Sequence, residues 1–153
     1  MSSVNNTESL VKVPLPKGWA AVDASEYQGK TQEIVEAIYV GPEAVEDFVA
    51  NMVVLSTPSI PQNIEEWLQE SIQSLVDEIP GFFVVDQQPW ASDYYSGALV
   101  CGTYIMERTA VTLLRWLLIG ETSTFTLDAT CATSELSTMT EVFFDVANSC
   151  QER

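Results

Sequence analysis

Twenty-two carboxylates, six basic side chains and no histidine bound the chemistry open to this 153-residue chain. Without an imidazole, a Ser-His or Cys-His nucleophile pair cannot be assembled, and histidine metal ligation is excluded. The seven glycines form neither GxGxxG nor a Walker loop, so nothing in the sequence would cradle a phosphate. No aspartate-rich loop has calcium spacing. Two carboxylates could act as an acid–base pair, but spacing singles out no pair among the 22. Glu65, Glu66 and Glu70 read as the wet side of a helix, and Glu107-Arg108 reads as turn chemistry. No catalytic residue, cofactor or metal site is assigned, and the chain is read as a non-enzyme.

Bulk properties narrow the partners. The formal net charge of −16 repels phosphate backbones and anionic membrane faces, so nucleic-acid binding is not expected. The charge serves solubility, or it guides a basic partner toward an apolar groove. Self-association as a homodimer stays open. The longest apolar run, near 111–119, is about half a membrane span and contains Arg115, so stable membrane insertion is not expected. The start, MSSVNNTESL, has no basic n-region and no apolar h-region, which as written leads to a cytoplasmic expectation. Cys101, Cys131 and Cys150 are odd in number and match no zinc spacing. A helix between Cys131 and Cys150 would separate them by roughly 24 Å, so free buried thiols are expected.

The elements that would position these groups follow from periodicity. Residues 1–9 are polar and read as a disordered tail; 10–153 read as one domain. A hairpin is expected from 11–15 and 19–22 around Pro16-Lys17-Gly18, then a loop over 25–31. A strand over 33–40 should stop at Gly41-Pro42, with a possible helical turn over the acidic 43–47 and a strand over 48–55. Ile64, Trp67, Leu68, Ile72, Leu75, Val76 and Ile79 step by three and four, one apolar helical stripe. Asn63 is its N-cap, with Glu66 placed for a capping box, and Pro80-Gly81 ends it. A strand over 82–86 and an aromatic loop over 87–95 lead to a three-strand meander over 96–132. Thr133-Ser134 should cap a last helix with the stripe Leu136, Met139, Val142, Phe143, Val146 and Cys150. Adjacent strands with few helices make an α+β fold, an antiparallel sheet with helices packed on it.

Within the meander, the third strand alternates. Phe125, Leu127, Ala129 and Cys131 face one side; Thr124, Thr126, Asp128 and Thr130 should be wetted on the other. The middle strand is apolar on both faces, which fits a central strand under two layers or a binding groove. Arg115 on this strand either needs a carboxylate partner, meets a ligand in a groove, or packs its stem and sends its head to solvent. Leu113, Arg115 and Leu117, with Trp90, Tyr94 and Tyr95 of the aromatic loop, are the candidate partner-binding residues.

An ordered series of motifs resembles a known family. Val11-Lys-Val-Pro-Leu-Pro-Lys-Gly-Trp19 resembles the VPxPxGW opening of the actinobacterial LpqN/LpqT lipoproteins, and Phe48-Val-Ala-Asn-Met-Val-Val-Leu55 their FxxNxVV strand. Ile79-Pro-Gly81 is similar to their LPG, and Ser96-Gly97 with Gly102-Thr-Tyr104 to their SG…GxY strand. The correspondence runs in order from about residue 11 to residue 147. The resemblance implies a PsbP-like α/β/α sandwich with helices on both faces of an antiparallel sheet. That fold is shared with DcrB lipoproteins and with Eag-type chaperones that shield hydrophobic helices of secreted effectors. These relatives bind proteins and offer no catalytic site to carry over. Unlike the lipoproteins, the sequence as written shows no lipobox cysteine.

Two functions are therefore expected as alternatives. One is an adaptor or chaperone, linked to export or cell-envelope transport, that holds an apolar or basic segment of a partner protein. The other is a carrier of a small molecule or lipid, or a carboxylate enzyme, with a pocket under the sheet lined by Trp116, Leu114 and Tyr104.

Overall fold

The computed structural model describes residues 11–23, 34–56, 63–121 and 123–152. Its elements are β1 (Val11–Lys12), β2 (Ala20–Val22), β3 (Ile34–Val45), β4 (Phe48–Ser56), α1 (Ile64–Glu78), β5 (Phe83–Ala91), β6 (Ser96–Met106), β7 (Thr109–Ile119), β8 (Thr124–Ala132), a 3-10 turn (Thr133–Glu135), α2 (Leu136–Ser149) and β9 (Gln151–Glu152). Seven strands form one antiparallel sheet in the order β2-β3-β4-β8-β7-β6-β5. The meander β6-β7-β8 is its centre.

Each helix covers one face of that sheet. On one side, Phe143, Val146, Ala147 and Cys150 of α2 pack on Leu99, Leu114, Trp116, Leu118, Phe125 and Leu127. On the other, Leu75 of α1, backed by Leu68 and Ile72, packs with Phe82 on Val100 and Leu113. This explains why β7 is apolar on both faces: Leu114, Trp116 and Leu118 serve one core, and Leu113 the other. Burying each such side chain contributes about 1.5–3 kcal/mol, so two layers are what make a two-sided strand stable.

The expected N-cap of α1 forms. The Asn63 side chain accepts from the N–H groups of Glu65 (2.9 Å) and Glu66 (3.2 Å), occupying donors that the helix start leaves free. Asp77 and Glu78, which stand unfavourably at the negative end of the helix dipole, are tied down: Gln73 Nε2 donates to Asp77 and Ser74 Oγ to Glu78, both at 2.8 Å.

Several expectations are corrected. The 11–22 segment turns as expected, with Trp19 N–H donating to Pro16 O and Gly18 at φ 89°, but it is no hairpin. β1 pairs with β9, and β2 with β3, while Trp19 between them meets the ring of Phe143 edge-on at 6.2 Å. Gly41-Pro42 does not end β3. β2 pairs only with residues 38–40, so the stretch beyond lacks an outer neighbour there, and a register shift between Val40 and Ala44 accommodates the proline. The acidic 43–47 segment is the end of β3 and a tight turn in which Glu46 and Asp47 both have positive φ, not a helical turn.

The aromatic loop is also shorter than expected. β5 continues through Gln87–Ala91, paired with β6 as an edge strand, which is where Pro89 is tolerated. The turn is confined to Ser92–Tyr95. The face of β8 expected to be wet is buried: Thr124, Thr126 and Thr130 all lie inside. Their strand is central, and its alternation separates two covered faces instead of a dry one from a wet one. Finally, Thr133-Ser134 opens a 3-10 turn and leaves α2 without a side-chain cap; Thr133 Oγ1 bonds Thr112 Oγ1 at 2.8 Å instead. The 1–9 tail and the 25–31 loop lie outside the described residues.

Candidate interaction surface

The six residues expected to meet a partner do not share a surface. Leu113 and Leu117 are buried in the sheet. Arg115 takes the first of its three readings: its guanidinium donates to both carboxylate oxygens of Asp128 at 2.7 Å, and to Ser71 Oγ of α1 at 3.0 Å. Trp90 points from β5 into the α2 face, edge-on to Trp116 (5.7 Å) and Phe144 (5.4 Å). Tyr95 is buried edge-on to Phe125, positioned by a turn in which Ser92 Oγ accepts from the N–H groups of Tyr94 and Tyr95. Of the six, Tyr94 alone is exposed, at 46%.

The sheet nevertheless has an uncovered corner. Phe83 (69% exposed) and Val85 (57%) on β5 lie beside Ile105 (67%) near the end of β6. Phe83 pairs with Thr103, and Ile105 stands two residues beyond Thr103 on the same face, so the two side chains are diagonal neighbours. α2 reaches β5 at Trp90, about 20 Å up the strand from Phe83 at ~3.3 Å per residue. The corner is what the helix fails to cover. Met106 (45% exposed), on the opposite face from Ile105, lines a cleft of about 360 Å³ with Phe48 and Arg108 between two hairpin turns. Thr109 Oγ1 ties those turns by donating to Glu46 O at 2.8 Å.

Charge surrounds the apolar corner. Asp86 pairs with Cys101 across the ladder, and Glu107 occupies the turn after Met106 at φ 58°. Burial, then the charge of Asp86, pushes the Cys101 thiol up. Burial holds Cys131 of β8 and Cys150, at the end of α2, up to about 12, and all three cysteines are free. Burial also raises the Glu135 carboxyl, partly offset by a backbone hydrogen bond from Ala132.

The outer edge of β5 is poorly suited to pairing with another strand. A register shift between Val84 and Asp86 makes Val85 a bulge, and Pro89 carries no N–H. Both devices blunt an edge against strand addition. Recognition at this corner would therefore use side chains.

Sequence reasoning missed Phe83, Val85 and Ile105 because it read them as ordinary strand residues. The available signal was Phe82-Phe83-Val84-Val85, an unbroken apolar run on what proves to be an edge strand. A pocket shared by Trp116, Leu114 and Tyr104 is not possible, since the sheet divides them: Trp116 and Leu114 face α2, while Tyr104 packs with the α1 core. Among the described residues no group of three or more Cys, Asp or Glu side chains is placed to hold a metal ion. No helix among them is long and apolar enough to cross a membrane.

No protein-family model matches the chain, and no curated protein is similar to it in sequence. Solved structures are similar in fold. LpqN of Mycobacterium tuberculosis, described as involved in cell envelope biogenesis, is 16% identical with a TM-score of 0.67, over 92% of this chain and 82% of LpqN. The cyanobacterial PsbP of Synechocystis is 15% identical with a TM-score of 0.70, over 96% of this chain and 89% of that one. PA94 of Pseudomonas aeruginosa, a protein of unknown function, is 10% identical with a TM-score of 0.64, over 89% and 98%. None of the three is described as an enzyme. The chain has the PsbP-like α+β fold, a seven-stranded antiparallel sheet between two helices, that LpqN and cyanobacterial PsbP share.

Proposed function

We propose that this chain is a non-enzymatic protein-binding module, an adaptor or chaperone linked to export or cell-envelope transport. It holds an apolar segment of a partner protein at the corner formed by β5 and β6. The observation that carries this reading is the exposure of Phe83 and Ile105 as diagonal neighbours on one sheet face, with Val85 beside them at the bulge. Single exposed apolar residues are ordinary, whereas a contiguous patch marks an interaction surface. Net charge of −16, with Asp86 and Glu107 beside the patch, favours a segment whose apolar residues are flanked by Lys or Arg. The same charge disfavours a second copy of the chain. The fold of LpqN, described as involved in cell envelope biogenesis, supports the envelope connection.

The test is affinity capture from native cells with the wild-type chain, the double variant Phe83→Ser/Ile105→Ser and an exposed-surface control, Glu70→Gln. One partner, identified by mass spectrometry, should be captured by wild type and control and lost from the double variant. Equal capture by all three would place the contact elsewhere and overturn the assignment of this corner.

A further inference from the structure

A second cleft lies on the opposite face, between the start of α1 and the middle of β5. Its volume is about 260 Å³. Ile64 and Leu68 of α1 form one wall and Pro89 the other, with Ala98 and Gly97 of β6 as the floor. Ala98, cross-strand from Pro89, contributes one methyl to that floor where a larger side chain would fill the space, and Gly97 beside it contributes backbone alone.

We propose that this cleft receives the side chain of a lysine or arginine from the partner protein. Size limits the occupant first. Small-molecule pockets run from about 300 to 1,000 Å³, so this cleft suits one side chain better than a multi-ring cofactor or two-chain lipid. Polarity comes next. An apolar trough with a polar mouth fits an aliphatic stem that ends in a polar head. Charge selects the head. Among the described lining residues Glu65 carries the one ionisable side chain, and Gln87 and Gln88 supply neutral amides. The Glu65 carboxylate stands in the first turn of α1, whose backbone is anchored by Asn63. An anionic head such as that of a fatty acid would meet Glu65 and the net charge of −16; a cationic head is attracted by both. Because the cleft borders β5, a partner segment crossing that strand would present apolar residues to Phe83 and Ile105 and a cation to Glu65.

Assigning the cation to a protein side chain rests on the protein-binding reading; the cleft's preference for an aliphatic cation does not, and is tested without the partner. The ¹⁵N-labelled full chain is titrated with Nα-acetyl-lysine methylamide, its uncharged counterpart Nα-acetyl-norleucine methylamide, and hexanoate, following amide shifts in two-dimensional NMR. The lysine probe should saturably shift Leu68, Gln87 and Ala98, binding at least threefold more tightly than norleucine, with no saturable shift from hexanoate. Glu65→Gln, an exposed change that leaves the core intact, should erase the lysine-over-norleucine preference. Ala98→Leu should abolish saturation by both. Equal binding of lysine and norleucine to the wild type, or an unchanged lysine preference in Glu65→Gln, would overturn the proposal. So would shifts spread over other acidic surfaces. The corner variant Phe83→Ser/Ile105→Ser should retain lysine binding while losing the captured partner, so the two readings fail separately.

Discussion

Arg115 of β7 and Asp128 of β8 face each other as a cross-strand pair, joined by two parallel N–H···O bonds of 2.7 Å. Their side chains are 13% and 14% exposed, under α1, and the remaining arm of the guanidinium reaches Ser71. A bidentate pair this well covered is harmed far more by loss of one partner than by apolar replacement of both. Asp128→Asn should therefore cost about 3 kcal/mol or more in chemical denaturation. The double replacement Arg115→Met/Asp128→Leu should recover most of that loss. A double variant no more stable than Asp128→Asn would show that the pair does more than compensate its own burial.

The thiols predict the alkaline limit. Cys131 and Cys150, held up to about 12 by burial, stay protonated in the folded chain, while in the unfolded chain they ionise near 8.5. Their contribution is thus fully present below about pH 8.5 and is lost as pH rises toward 12, at about 1.4 kcal/mol per pH unit for each. Denaturation midpoints measured between pH 8 and 10 should fall, and Cys131→Ala/Cys150→Ala should flatten the slope. In the native state a thiol reagent at pH 8 should modify half-buried Cys101 first.

Gly102 is fixed by its neighbour across the ladder's edge. A Cβ there would sit 2.1 Å from Cζ of the buried Phe82 ring. Gly102→Ala should destabilise by about 1–3 kcal/mol through displacement of that ring. The penalty should shrink in a Phe82→Leu background, a coupling that a double-mutant cycle reads directly.

Stability and binding should separate along the sheet. Phe83→Ser and Ile105→Ser alter exposed side chains and should shift stability by no more than about 0.5 kcal/mol each. Leu113→Ala, at the centre of the α1 core, should cost about 2–5 kcal/mol. Equilibrium urea unfolding of the three variants checks both; a large loss at Ile105 would mean that the corner is part of the core.

Most of the architecture was legible in the primary structure. The 3–4 spacing from Ile64 to Ile79 and the cap at Asn63 specified α1, and the apolar periods of 96–132 specified the meander. Such patterns are local: they record which residues share a face. They do not record what covers that face. The alternation of β8 was real, but the threonine side is buried because the strand lies at the centre of the sheet, a fact set by its pairing with β4, which is distant in sequence. Arg115 could have faced solvent or a ligand until the register placed Asp128 opposite it. The 11–22 turn was correct in chemistry and wrong in consequence, since β9, at the far end of the chain, supplied the partner for β1. The candidate corner was least legible of all. Phe83 and Ile105 are apolar like their neighbours, and only the path of α2, which meets β5 at Trp90 and stops short of them, leaves them in water.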